Sequence, residues 1–344
     1  MKFNMNYFLI IVFLLLFSGC GSQGPLTHLS RPRDGKKELP LEAAWKIGGL
    51  INNNAMYNIG VTSEGLYYIR DKRSTFEMVF TGLAGEEISS YKIPKGKGPG
   101  EIQSPMQVTL GDTFTMIYDI EMLKFSLYSP NGEFLEDVMM DPDQGIPFFH
   151  QQTGETFLYS GLLSVQYGQG RITDGKVETL RKVEYKEKYK GMEELNTKKM
   201  RMTIPLVSEG KVFSLVSQDS LRLSRLDDDF KEDKVYVNLS GSLLSFRVVA
   251  DSKHLYFPFP FDVDKAQSTG TLKTAFAVAV FDKESGEHLY TISGPVSQFE
   301  GMLSAVGVVN GNLILLVDDH SGSLSEALGE KGPGNWILVY RLPE

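Results

Sequence analysis

The sequence predicts an all-β fold: a six-bladed β-propeller of four-stranded blades, its ring closed by an N-terminal strand pairing in the C-terminal blade. Three observations carry this. From residue 41 onward, short β-branched and aromatic runs bounded by glycine, asparagine, aspartate and serine turns fill the chain, and amphipathic helical periodicity is nearly absent. Strand-turn-strand pairs recur at a blade-sized interval. The last unit is one strand short, and a lone strand-like segment precedes the first.

The chain opens MKFNMNYFLIIVFLLLFSGC, where Lys2 supplies a positive start and Tyr7 to Phe17 form an apolar run too short to span a bilayer comfortably. This predicts an export signal over residues 1–19. Ser18 and Gly19 directly before Cys20 resemble the bacterial lipoprotein processing box, although Phe17 stands where that box usually has an aliphatic residue. The resemblance implies that Cys20 becomes the acylated N-terminus and a membrane anchor. Cys20 is the single cysteine, so its lipidation leaves no thiol for a disulfide, a metal or a nucleophile. Gly21 and Ser22 follow it in place of an aspartate, which in that class implies the outer membrane, facing the periplasm or the cell surface. Residues 20–40 are rich in glycine, proline and charge and read as a flexible tether.

Residues 41–344 carry the repeats. FEMVFTGLAGEEISSYKI, FSLYSPNGEFLEDVMM, LRLSRLDDDFKEDKVYVNL and FAVAVFDKESGEHLYTIS each read as strand, polar turn, strand, with a weaker copy in RITDGKVETLRKVEY. In SPNGEF, Asn131 and Gly132 predict a two-residue hairpin turn, because both tolerate positive φ. A second type of pair precedes these: NIGVTSEGLYYIRD, VTLGDTFTMIYD, FHQQTGETFLYS, LVSEGKVFSLVS, VVADSKHLYFPF and VVNGNLILLVDD. Turns near residues 83, 131, 174, 228 and 285 recur at 43 to 57 residues, the size of a four-stranded blade. After VVNGNLILLVDD only WILVYRLPE remains, so LEAAWKI at residues 41–47 is expected to pair beside it and remove two open edges. A β-sandwich also shows many short strands, but the regular units and the three-plus-one ending favour the propeller.

The connector KGKGPGEIQSP lies between the first two units. Through Gly96, Gly98, Pro99, Gly100, Glu101, Ile102 and Pro105 it resembles the connector of bacterial six-bladed propeller lipoproteins of the TolB-like group, with relatives among NHL-like propellers. The resemblance implies a fold and hardly an activity, since such propellers serve as binding modules, scaffolds and enzymes. A phosphate loop fits poorly: Pro99 lacks an N–H, Lys97 precedes glycine, and a strand follows where a helix would start.

A net charge of -8 and a pI near 5.3 argue against nucleic acid as a partner. No HExxH, Gly-x-Ser-x-Gly or paired-cysteine motif is present, and no cofactor is expected. In a propeller the blade connectors share a face with the loops after the second strands. That places Lys95, Lys97 and Glu101 beside an acidic crown of Asp71, Asp119, Asp219, Asp262 and Asp318, with Glu121, Asp264, Asp319 and His320 close behind. Aspartate also suits turns for purely local reasons. The innermost strands offer Asn58, Gln107, His150, Gln151, Ser208, Arg247 and Ser304 toward the axis, with no carboxylate among them. Residues 181–201 hold eight basic and four acidic residues and are the best helix candidate. Tyr67, Tyr68, Tyr118, Phe257, Phe259 and Phe261 read as core.

These features predict a lipid-anchored propeller that binds an envelope protein, peptide or glycan without chemistry, through Lys95, Lys97, Glu101, Asp119, Asp262, Asp318, His150 and Arg247. Two other readings stay open. One is a propeller hydrolase or lyase acting on a carbohydrate, lactone or peptide through His150, Arg247 and the crown. The other is a structural subunit docked through residues 181–201.

Overall fold

Short apolar runs separated by glycine and aspartate turns leave the backbone few options but antiparallel pairing with the next run, and the chain builds almost entirely that way. The computed structural model describes residues 36–49, 57–111, 113–139, 148–153, 156–161, 165–185, 202–217, 220–240, 243–244, 247–262 and 269–343. The fold is all-β and propeller-like, mostly strand with little helix.

Strands β1 (Lys36–Glu38) and β2 (Leu41–Ile47) precede four separate four-stranded sheets. The first is β3 (Ile59–Val61), β4 (Leu66–Asp71), β5 (Thr75–Thr81) and β6 (Glu87–Pro94), in that order. The second is β7 (Pro105–Leu110), β8 (Thr115–Asp119), β9 (Lys124–Tyr128) and β10 (Phe134–Met139). The third is β11 (Phe148–Thr153), β12 (Thr156–Ser160), β13 (Val165–Thr173) and β14 (Lys176–Glu184). The fourth is β15 (Met202–Ser208), β16 (Lys211–Ser217), β17 (Ser220–Leu226) and β18 (Glu232–Ser240). Strand β19 (Leu243–Leu244) follows, then β20 (Val249–Ala250), β21 (His254–Pro258), β22 (Phe261–Asp262) and β23 (Lys273–Asp282). The long β24 (His288–Val309) comes next, then β25 (Asn312–Asp319), helix α1 (Ser323–Ala327) and β26 (Gly334–Arg341). Strands β19 and β22 form a small ribbon; the remainder join one eight-stranded sheet of order β2-β26-β25-β24-β23-β21-β20, with β1 parallel to β24.

Burial falls from the middle of each sheet to its rim. Every residue of β8 and β9 is buried, whereas β6 and β10 are largely exposed. The first strands are neighbours across sheets: β3 packs on β7 and β24, β7 on β11, and β11 on β15. The core lies between sheets. Ile69, Met78, Ile93, Ile102, Val108 and Ile117 fill the space between the first two.

The strand-turn-strand pairs read from the sequence are the β5-β6, β9-β10, β13-β14, β17-β18 and β23-β24 hairpins, each antiparallel. LEAAWKI is β2 and pairs with β26 from Leu41 opposite Tyr340 to Ile47 opposite Asn335. Four local expectations need correction. At SPNGEF only Gly132 has positive φ, and the loop closes through Ser129 N–H on the Glu133 carbonyl and Gly132 N–H on the Ser129 carbonyl. This is a three-residue loop with a glycine bulge, which Pro130 favours by fixing its own φ. Arg181 to Glu184 continue β14 instead of starting a helix, because Val183 packs inward against a buried cluster while its neighbours alternate outward. The tether contributes β1 at its end, with Leu39 buried just after it. Finally, β24 runs unbroken from one hairpin into the next, pairing with β23 up to Glu300 and with β25 from Gly301.

Candidate functional site

Strand registers put the connectors and the ends of the second strands on one face. Asp71 lies opposite Phe76 and Thr75 opposite Pro94, while Asp119 lies opposite Pro105. Lys95 therefore meets Asp71 in an ion pair and sits 4.5 Å over the Phe76 ring. The connector itself is fastened down. Ile102 is fully buried, Lys124 donates to the Gly98 carbonyl at 3.1 Å, and the Tyr128 hydroxyl donates to the Gly100 carbonyl at 2.8 Å. Lys124 also pairs with Asp137 at 2.8 Å, and Gly100 N–H donates to the same carboxylate at 3.2 Å. Gly100 has a φ of +66°, and a β-carbon there would lie 2.7 Å from the Phe134 ring, so both conformation and space require glycine. Glu101 turns back on its own loop and accepts Gly98 N–H at 2.7 Å; Lys97 is exposed.

Among the described residues, the crown aspartates divide into two kinds. Asp119 is fully buried and accepts N–H groups from Gln103 at 2.6 Å, Ser104 at 3.3 Å, Glu121 at 3.0 Å and Met122 at 3.2 Å. Asp319, one residue beyond Asp318, does the same for Gly322, Leu324 and Ser325 at 3.0 to 3.1 Å. These carboxylates organise loops. Asp318 is accessible and accepts from the exposed His320 at 2.8 Å. That hydrogen bond raises His320 above the usual imidazole range. A raised folded value means the contact stabilises at low pH, and its contribution is lost as pH rises through that value. His320→Gln is thus expected to destabilise by less than about 1 kcal/mol near pH ~5.5 and by nothing near pH ~9, read by thermal unfolding at both pH values.

A second polar group lies beside β3. Arg247, just before β20, donates through Nη1 to the Ile59 carbonyl of β3 at 2.7 Å. Its sequence separation of 188 residues makes this a bridge between distant sheets, and β3 and β20 each pack on β24. Arg247 is partly buried, and burial lowers its pKa. Tyr57 and Tyr67 are its electrostatic neighbours, and burial raises both phenols, so they remain neutral. Leu110 N–H donates to the Tyr67 hydroxyl at 3.3 Å. Asn58, beside Ile59, is fully buried, and neither of its amide atoms has a hydrogen-bond partner among the described residues.

Of the residues singled out in the sequence, Lys95 with Asp71, and Asp318 with His320, fall on the crown, while Arg247 reaches the main chain of Ile59, next in sequence to Asn58. Gln107 and Ser304 lie buried on β7 and β24. Cys20, residues 186–201, Asp219, Asp264 and the side chains of His150, Gln151, Phe261 and Asp262 lie outside the described residues. Tyr67 escaped notice as a site member because an aromatic in a strand ordinarily signals core. Among the described residues, no three His, Cys, Asp or Glu side chains gather as a metal-ligand set.

No protein-family model and no curated protein matches the chain. Solved structures do. A member of the DUF4221 family from Bacteroides vulgatus ATCC 8482 aligns with a TM-score of 0.52 at 12% identity, covering 90% of this chain and 98% of that one. BamB from Moraxella catarrhalis aligns at 0.47 and 10% identity, covering 88% and 100%. Virginiamycin B lyase from Staphylococcus aureus aligns at 0.48 and 10% identity, covering 87% and 99%. All three are β-propeller proteins. At such identities only the fold is shared, and the first alignment alone is close enough to bear on it.

Proposed function

We propose that the chain is a six-bladed propeller lipoprotein of the outer membrane, anchored through Cys20, that binds a ligand or protein partner without catalysing a reaction. Dividing the eight-stranded sheet at Gly301 supports the blade count. Strands β20, β21, β23 and the first part of β24 then form a fifth blade, and the rest of β24 with β25, β26 and β2 forms a sixth. On this division β2 is the clasp of the ring. The anchor and envelope address rest on the apolar leader and on Ser18, Gly19 and Cys20.

The observation that supports the binding role is the bond from Arg247 to the Ile59 carbonyl, which sets a charged side chain against the first strand of a sheet 188 residues away in sequence. A recess with a few convergent polar groups is a usual place for a propeller to receive a peptide, glycan or protein loop. The test uses the mature, detergent-solubilised protein titrated with fractionated envelope peptides and glycans, following Tm and the integrity of the added molecules together. The expected result is a saturable rise in Tm with the ligand recovered intact. Conversion to product overturns the non-catalytic role, and no response to any fraction overturns binding. Cys20→Ser is expected to shift the protein to the soluble fraction; unchanged membrane retention removes the anchor.

A further inference from the structure

We propose that the turn end of the β23-β24 hairpin faces the bilayer and that the crown faces away from it, so that a partner of the crown arrives from the aqueous side and not from the lipid. The inference rests on the anchor at Cys20 and adds the direction in which the anchored body points.

Strand β24 carries both ends of the argument. Its start, His288, lies opposite Phe281 beside the turn from β23, and Glu300 lies opposite Lys273 at the far end. The crown belongs to that far end: Asp318 lies opposite Met302, and His320 N–H donates to the Glu300 carbonyl at 2.7 Å. Strand β1 lies near the turn, with Lys36 opposite Thr291 and Glu38 opposite Ser293. The pairing is parallel, so the chain preceding Lys36 is aimed at the turn and away from the crown. This exit is fastened. Lys37 sits 5.1 Å over the Tyr290 ring, Leu39 is buried in a core cluster, and the Pro40 carbonyl accepts Arg341 N–H at 3.0 Å. Only residues 21–35 then separate Cys20 from β1. A linker of that length, rich in glycine, proline and charge, spans about 20 Å r.m.s. as a coil. Thr291 and Glu300 are up to about 30 Å apart at the rise of an extended strand. To bring the crown to the lipid, the linker would have to double back along β24 for more than its own r.m.s. span, against its exit direction. Leaving the turn end nearest the bilayer demands no such extension.

Because Cys20 is the single cysteine and its thiol is taken up by the lipid, an introduced cysteine is a unique labelling site. The test places a fluorophore on Glu287→Cys, at the turn end, or on Lys273→Cys, at the crown end; both positions are exposed. The full lipidated protein is reconstituted into phosphatidylcholine vesicles that carry a quencher on the lipid headgroup. The label at 287 is expected to lose most of its emission and the label at 273 to keep it. Lys253→Cys, in an exposed turn at the same end as Glu287, serves if Glu287→Cys does not fold. Equal quenching at the two ends, or stronger quenching at 273, overturns the orientation while the anchor stands. If the protein fails to float with the vesicles, the anchor falls and this inference with it. Lengthening the tether by about twenty Gly/Ser residues after Gly35 is expected to reduce the contrast, since the coil then spans more than the length of the hairpin. A contrast that is unaffected overturns the part assigned to the tether.

Discussion

Asp119→Ala is expected to lower the stability of the chain by roughly 3 to 5 kcal/mol, close to the upper end for a single substitution. The reason is the number of groups left behind. Four backbone N–H donors, those of Gln103, Ser104, Glu121 and Met122, lose a charged acceptor at a position with no exposed surface. Each buried donor left unpaired costs about 1–3 kcal/mol, offset where water enters the space vacated by the carboxylate. Asp119→Asn keeps one accepting oxygen and should cost about half as much. Denaturant unfolding of both variants measures the difference, and a loss below about 1 kcal/mol in the alanine variant would show that the network is dispensable. Because Gln103 and Ser104 belong to the connector, the alanine variant should also be cleaved faster by trypsin after Lys95 and Lys97.

Gly301→Ala is expected to be comparably severe, about 3 kcal/mol or more, for a different reason. Gly301 has a φ of +143°, and a β-carbon there would fall well inside the van der Waals shell of the Asp318 carbonyl oxygen. The obstacle is backbone on both sides, so no rotamer relieves it. Gly210→Ala provides the control. Its φ of +75° is also positive, but nothing lies within 4 Å of the added carbon, so only the left-handed conformation is penalised, by about 1 kcal/mol. Equal loss of Tm in the two variants would show that β24 shifts to accommodate the methyl group.

The hairpins and the unit interval were legible because strand periodicity and turn residues are local, and the chain repeats them. The role of LEAAWKI was legible from the missing strand at the other end, an argument from counting. The crown was legible only in part. An aspartate after a second strand looks the same in sequence whether it holds four N–H groups, as Asp119 does, or lies partly exposed beside a histidine, as Asp318 does. What separates them is a tertiary partner, the returning connector. This group was half visible: Arg247 was among the polar residues of the expected innermost strands, whereas Tyr67 was hidden by the pattern that makes strand aromatics core. The bridge from Arg247 to Ile59 joins positions too far apart for any spacing rule.

The pairing of β2 with β26 also orders events in time. Leu41 is among the first residues of the folded region to be made and Tyr340 among the last, yet they are partners. Nearly the whole chain must therefore exist before that ladder can form, and closing so large a loop makes the step late and slow. Until then β2 is an unpaired edge, able to recruit the wrong strand from another molecule. Glu42 and Lys46 place a charge of each sign near its two ends. In the finished fold the same side chains find partners: Glu42 meets Arg341 at 3.3 Å, and Lys46 sits 5.1 Å over the Trp336 ring. Residues that guard a waiting edge against aggregation thus become part of the latch once β26 arrives.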